Sequence, residues 1–189
     1  MKKKIIITGG LGYIGTELCK IYSGVSWNNS ITIIDNRFIS ERVNQLRNWN
    51  MNFIHGDILD RELINKHCND ADIVHHLAGI TDVPRVKSET SETIDARIKL
   101  VAEEGTQNIL DAINNKCKII LPSTHVVYEG IEKVKNNILE EEELKPVLSY
   151  ANSKAINENQ LKKSGKNYII LRLGSVYGYS TDTARIDIM

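Results

Sequence analysis

The sequence predicts an α/β fold: a doubly wound parallel sheet with helices on both faces. Three observations carry that prediction. Short apolar, β-branched runs alternate with longer amphipathic stretches, as the crossover connections of parallel strands require. The runs are apolar almost throughout instead of alternating with polar residues, which suits strands covered on both sides. A glycine triplet, Gly9, Gly12 and Gly15, falls between the first run and the first amphipathic stretch, the context in which such a triplet binds phosphate.

Each element has its own signal. Lys4 to Thr8 reads as a buried strand, and Gly12 to about Ser23 as a helix. Ile31 to Asp35 is a second strand, Glu41 to Arg47 a short helix, and Met51 to His55 a third, weaker strand. Asp60 to His67 is helical in pattern, with Asp60 placed to cap it ahead of Leu63 and Ile64. Asp72 to Leu77 forms a fourth strand. From Glu92 to Asn114, apolar residues recur at Ile94, Ile98, Val101, Ile109, Leu110 and Ile113, the spacing of one long helix. Lys118 to Leu121 is the fifth strand, closed by Ser123 and Thr124, followed by a helix over Ser149 to Ser164 and a sixth strand over Tyr168 to Leu173. Glu140 to Glu143 reads as a solvated loop or helix start.

Composition narrows the function. The chain has 189 residues, enough for one domain and its core without metals or disulfides. Lys+Arg and Asp+Glu are both 24, so there is no net charge to build a broad nucleic-acid surface or a polybasic membrane anchor. Cys19, Cys68 and Cys117 are far apart, odd in number and free of any C-x-x-C spacing. That disfavours a disulfide framework or a metal site and suits a reducing, cytoplasmic setting. No stretch approaches a membrane span. The apolar run after Lys2 to Lys4 stops at Thr8-Gly9-Gly10, too short for a signal peptide.

The glycines have distinct physical roles. They permit a tight turn, close approach of backbone N–H groups to a pyrophosphate, and close packing of helix on strand. The helix start that follows offers a partial positive charge to phosphate. Asp35 ends the second strand 20 residues after Gly15. A carboxylate there accepts hydrogen bonds from an adenosine ribose and repels a 2′-phosphate, which favours NAD, while Arg37 keeps NADP open. Tyr150 and Lys154 are four apart on a helix and share a face. A nearby cation favours phenolate over phenol, so the tyrosine can serve as base and then acid. Ser123 and Thr124 stand at the carboxyl edge of the sheet, where ligands of open α/β folds bind.

Taken together, the chain resembles the extended short-chain dehydrogenase/reductase superfamily in its NAD-dependent epimerase/dehydratase branch, with UDP-glucose 4-epimerase-like members. The matching segments are Thr8 to Gly15, Asp35-Asn36, Gly56-Asp57-Ile58, His76 to Gly79, Ser123-Thr124 with Val127-Tyr128, Tyr150 to Lys154, and Leu171-Arg172 with Val176-Tyr177-Gly178. The resemblance implies a Rossmann domain over residues 1–178, with 179–189 opening a C-terminal substrate lobe most of which is missing. It implies an NAD site built by Gly9, Gly12, Tyr13, Ile14, Gly15, Asp35, Asn36, Asp57, Ile58, Leu77, Ala78, Gly79, Tyr150 and Lys154. Catalysis falls to Thr124, Tyr150 and Lys154, the substrate is a nucleotide-sugar, and no metal is required. A homodimer is implied through the long helix and the helix after Tyr150.

The implied reaction oxidises a sugar hydroxyl. Tyr150 takes the proton while hydride passes to NAD, and an epimerase returns hydride to the opposite face of the keto-sugar. Family dehydratases and decarboxylases carry an acid one or two places after Thr124; here His125 and Val126 stand there, which favours epimerisation. Ala102 replaces a frequent asparagine, implying one lost cofactor-side hydrogen bond. Glu129 interrupts a Val-Tyr-Gly run. Ser175 and Tyr179 replace flanking residues on the substrate side. Two alternatives stay open: an NADPH-dependent keto-sugar or carbonyl reductase, and a non-catalytic dinucleotide-binding module.

Overall fold

The computed structural model describes residues 2–25, 29–81, 91–132 and 135–178. Six strands, β1 (Lys4–Thr8), β2 (Ser30–Asp35), β3 (Asn52–His55), β4 (Ile73–His76), β5 (Lys118–Thr124) and β6 (Asn167–Leu173), form one sheet in the order β3-β2-β1-β4-β5-β6. Every pairing is parallel. Among the described residues, five α-helices connect them: α1 (Tyr13–Gly24), α2 (Ser40–Asn48), α3 (Arg61–Cys68), α4 (Glu92–Ala112) and α5 (Ser149–Lys163). The expected Rossmann-type sheet is therefore present, with its elements in the expected sequence.

The continuous apolar strands divide their side chains between two cores. Ile5 and Ile7 of β1 point to one face with Ile31 and Ile33 of β2, under Cys19 of α1 and Val43 and Leu46 of α2. Ile6 and Ile34 point to the other, with Val74, Ile119 and Leu121, under Ile64 of α3, Val101, Ile109 and Leu110 of α4, and Leu161 of α5. Burial of such side chains on both faces is what excludes polar residues from these runs.

Boundaries move where caps and pairing decide them. Asp60 accepts from the Leu63 N–H at 3.0 Å, so α3 begins at the position its sequence signals. Ser91 caps α4 in the same way. β5 runs on to Thr124 because β6 pairs with it through Thr124↔Leu173. A 3-10 turn, His125–Tyr128, follows β5 and lacks any periodic signal in the sequence. Glu140 to Glu143 lies in an exposed turn and loop. Segment 179–189, expected to open a substrate region, lies outside the described residues. Edge strand β6 exposes Tyr168, Ile169 and Leu171.

Between β1 and β4 the strand order reverses direction. β1 leads through α1 to β2 on one side, while β4 lies on the other. The two strand ends diverge there and open a crevice, the ligand site of open α/β sheets.

Two buried histidines of β4 make the fold acid-sensitive. Burial lowers His75 to about 4, and burial with the nearby Lys154 charge lowers His76 to about 3. In the unfolded chain both take protons near the ordinary 6.5. The histidines' contribution to stability is therefore full above pH 6.5 and falls as pH drops toward 4 and then 3, by about 1.4 kcal/mol per pH unit for each proton. Urea unfolding at pH 7, 5.5 and 4.5 measures this slope, and His76→Gln is expected to remove one proton from it.

Candidate functional site

The crevice is a cleft of about 630 Å³, a volume suited to a small-molecule or cofactor site. Every residue that the sequence assigns to the cofactor or to catalysis lines it.

At its floor, β1 ends in the glycine turn. Gly9 has φ +69°, and a Cβ there would lie 2.6 Å from the Ala78 backbone nitrogen. Only glycine lets β1 and β4 approach this closely. A Cβ on Gly15 would lie 2.6 Å from both Gly10 Cα and the Gly9 carbonyl oxygen, so α1 packs against the turn that precedes it. Gly12 is the N-cap of α1 and carries no side chain to satisfy the first N–H groups. Those groups and the helix dipole face the cleft, next to Tyr13 and Ile14. This arrangement fits a pyrophosphate.

Two charged residues grip the turn at Leu11. Its N–H donates to Asp35 Oδ2 at 2.9 Å, and its carbonyl accepts from the Arg42 guanidinium. Asp35 thus holds the loop as well as facing the cleft, and its other oxygen accepts from the Arg37 N–H at 2.9 Å. Sequence reasoning misses Arg42. Its signal is a charge beside Val43 on the buried stripe of α2, where it is itself buried.

Beyond Asp35, the Asn36 amide donates to Asp57 Oδ2 at 3.0 Å. The other Asp57 oxygen accepts from the Leu59 N–H at 3.0 Å, and Arg97 of α4 stands 4.0 Å away. Ile58 occupies the space a Cβ on Gly105 would fill, bringing α4 close under the cleft.

On the opposite wall, Leu77, Ala78 and Gly79 follow β4. Behind them lies a buried polar chain: Thr8 Oγ1 to His76 Nδ1 at 3.0 Å, His76 Nε2 to Thr106 Oγ1 at 2.9 Å, and Asn157 Nδ2 to Thr106 Oγ1 at 2.8 Å. Asn157 also donates to the Ala102 carbonyl at 2.9 Å. Ala102 thus brings no amide to the cofactor side, and the Asn157 amide is spent on the buried chain behind the wall.

The reactive end is built by β5 and α5. Lys154 Nζ lies 6.0 Å from the Tyr150 ring centroid and 3.9 Å from where a Gly79 Cβ would stand. Burial lowers its ammonium to about 8, because no carboxylate among the described residues pairs with it. Thr124 Oγ1 accepts from the Val126 N–H at 3.3 Å, which leaves its own hydrogen to donate. Ser123 also borders the cleft, but its hydroxyl is engaged elsewhere, donating to buried Glu158 at 2.7 Å. His125 Nδ1 lies 3.2 Å from the Leu173 carbonyl, so that nitrogen donates. Glu129 anchors the entry to α5, accepting from the Val147 and Leu148 N–H groups at 2.7 Å each. Ser175 lines the cleft, whereas Tyr179 lies outside the described residues. Among the described residues, no cluster of His, Cys, Asp or Glu suits a metal ion, and no helix is long and apolar enough to cross a membrane.

The sequence profile of the NAD dependent epimerase/dehydratase family matches residues 5–188. A UDP-N-acetyl-alpha-D-glucosaminuronate decarboxylase of Bacillus cytotoxicus is 34% identical over 68% of the chain and 38% of its own length. A CDP-paratose 2-epimerase of Salmonella typhi is 32% identical over 71% of the chain and 40% of its own. The chain thus spans well under half of these curated relatives. The crystal structure of a UDP-glucuronic acid 4-epimerase from Bacillus cereus, in complex with UDP-glucuronic acid and NAD, superposes with a TM-score of 0.72 at 27% identity. That likeness covers 93% of this chain and 57% of the other.

Lys154 offers a direct test of the site's electrostatics. Its charge is present below about pH 8 and lost above it, while the unfolded chain holds the proton to about 10.4. Unfolding free energy is therefore expected to rise from pH 8 to 10 in the wild type relative to Lys154→Met. Nζ-detected lysine NMR should show one resonance with a midpoint near 8 that the variant lacks.

Proposed function

The chain belongs to the NAD dependent epimerase/dehydratase family, and from that membership we propose that it binds NAD and forms the cofactor-holding, catalytic portion of a nucleotide-sugar epimerase. The observation that carries this reading is a single cleft. It joins the glycine turn and the uncapped start of α1 to the Thr124, Tyr150 and Lys154 side chains.

In this reading the α1 start and the Gly9 to Gly15 backbone receive the pyrophosphate. Asp35 and Asn36 take the adenosine ribose, Asp57 and Ile58 flank the adenine, and Leu77 to Gly79 line the nicotinamide side. When bound, NAD supplies the acceptor and later the donor of hydride at a sugar carbon. Tyr150, as phenolate, takes the proton of the sugar hydroxyl and then returns it. Lys154 orients the nicotinamide ribose and keeps the phenolate favourable while it holds its own proton, below about pH 8. Thr124 donates to the reacting oxygen, which anchors the substrate at hydrogen-bond distance from Tyr150. Val126 brings no acid to this end of the cleft, and His125 is tied to the Leu173 carbonyl. That favours epimerisation over elimination or decarboxylation.

Association as a homodimer is part of the proposal. Ile94 and Leu100 are exposed on α4, and α4 packs beside α5. Sedimentation at two concentrations would show a dimer if this is right and a monomer if it is wrong.

Isothermal titration should show NADH binding, tighter than NADPH because of Asp35. A folded protein that binds neither would sink the reading. Gly15→Ala is expected to abolish binding, since its Cβ has no room. Tyr150→Phe should lower turnover of a UDP-, dTDP- or GDP-sugar by at least about a hundredfold while leaving NADH affinity within about twofold.

A further inference from the structure

A second buried charge cluster lies behind the cleft and takes no part in the roles above. Glu158 is fully buried on α5, one turn beyond Lys154 and two beyond Tyr150. Its Oε1 accepts from Arg172 Nε at 2.9 Å and from the Ser123 hydroxyl at 2.7 Å. Its Oε2 accepts from the second guanidinium arm of Arg172 at 2.7 Å and from Lys162 at 3.3 Å.

The third arm of Arg172 points elsewhere. Its nitrogen donates to the Glu140 carbonyl at 2.7 Å and to the Tyr128 hydroxyl. The Arg172 Cζ stands 5.1 Å from the Tyr128 ring centroid, and the Tyr128 hydroxyl donates to the Leu139 carbonyl at 3.1 Å. One guanidinium therefore clasps α5, the 3-10 turn after β5 and residues 139–140 together. The same stretch is closed on itself, Gly130 N–H to the Lys145 carbonyl and Lys145 N–H to the Val127 carbonyl, both at 2.8 Å. It then enters α5 through the Glu129 contacts to Val147 and Leu148.

A buried ion pair is weak evidence of added stability, because desolvation offsets the attraction. A planar fork with three separately used arms instead fixes relative position, which a lysine cannot do. We propose that Arg172 and Glu158 are positioning residues that lock residues 128–130 and 139–148 to α5, so that the first turn of α5 and Tyr150 are held in one place against the cleft. The consequence for Tyr150 rests on the epimerase reading; the mechanical coupling does not.

Hydrogen exchange on the full chain tests it. In Arg172→Lys, the amides of Gly130, Lys145, Val147 and Leu148 are expected to exchange at least about tenfold faster, while those of β1 to β3 keep their protection. Tyr128→Phe retains the Glu158–Arg172 pair and should speed the same four amides by a smaller factor. NADH affinity should stay within about twofold in both variants, with kcat reduced for Arg172→Lys. Faster exchange confined to β6 and α5, or spread evenly over the whole sheet, would overturn the proposal. Should Arg172→Lys not fold, Tyr128→Phe and Glu158→Gln decide it on the same amides. A chain that binds no NADH would defeat the cofactor reading yet leave the exchange result decisive for the coupling.

Discussion

The seam between β1 and β4 is the constraint on which the cleft depends. Thr8 and His76 pair in register at its end, and beyond them the two chains must part in opposite directions. They part at contact distance: the Leu77 N–H donates to the Thr8 carbonyl at 3.1 Å, and the Ala78 N–H to Thr8 Oγ1 at 3.3 Å. That closeness is possible because Gly9 has no Cβ. A wider seam would separate the glycine turn from the Ala78 wall, and a single ligand would no longer bridge them. His76, held neutral by burial, extends the seam backward through Thr106 to Asn157 on α5. The helix bearing Tyr150 and Lys154 is thereby referenced to the same strand ends as the glycine turn.

Charged side chains in this protein act mainly by fixing backbone. Asp35 and Arg42 hold the N–H and carbonyl of one residue, Leu11. Glu129 holds two N–H groups ahead of α5. Glu158 and Arg172 bind three elements at once. The two buried carboxylates, Asp35 and Glu158, each accept from several donors, which is what makes their burial tolerable. Lys154 differs: among the described residues it is buried without a carboxylate partner, and its lowered pKa reflects that desolvation. An ammonium so placed responds strongly to any phenolate that forms beside it, because little water screens the pair.

Much of the fold can be read from the chain. The apolar runs, the glycine triplet and the Asp60 cap each have a local cause, so their elements fall within a few residues of expectation. The 3-10 turn at His125 and the extension of β5 to Thr124 do not, since pairing with β6 and the Thr124 cap create them. In the site, motif residues are legible because their chemistry needs particular residue types at particular spacings. Arg42, Asn157 and Glu129 are not, because each acts on a backbone group far along the chain. Nothing in the spacing of Arg42 and Leu11, or of Asn157 and Ala102, announces a contact.

The sequence by itself determined the parallel α/β class, the strand-turn-helix that opens it, and the residue types that can bind a dinucleotide and move a proton. Those follow from periodicity, from glycine's lack of a side chain and from the chemistry of Asp, Tyr and Lys. Only the tertiary structure decided that the Ser123 hydroxyl is taken up by Glu158 while Thr124 Oγ1 accepts from the Val126 N–H. It also decided that Asp35 holds the loop as well as facing the cleft, and that Lys154 is buried deeply enough to lose its proton near 8. The physical reason is common to all three. Direction, partner and desolvation are properties of a side chain's surroundings, and those surroundings are assembled from segments that are distant along the chain.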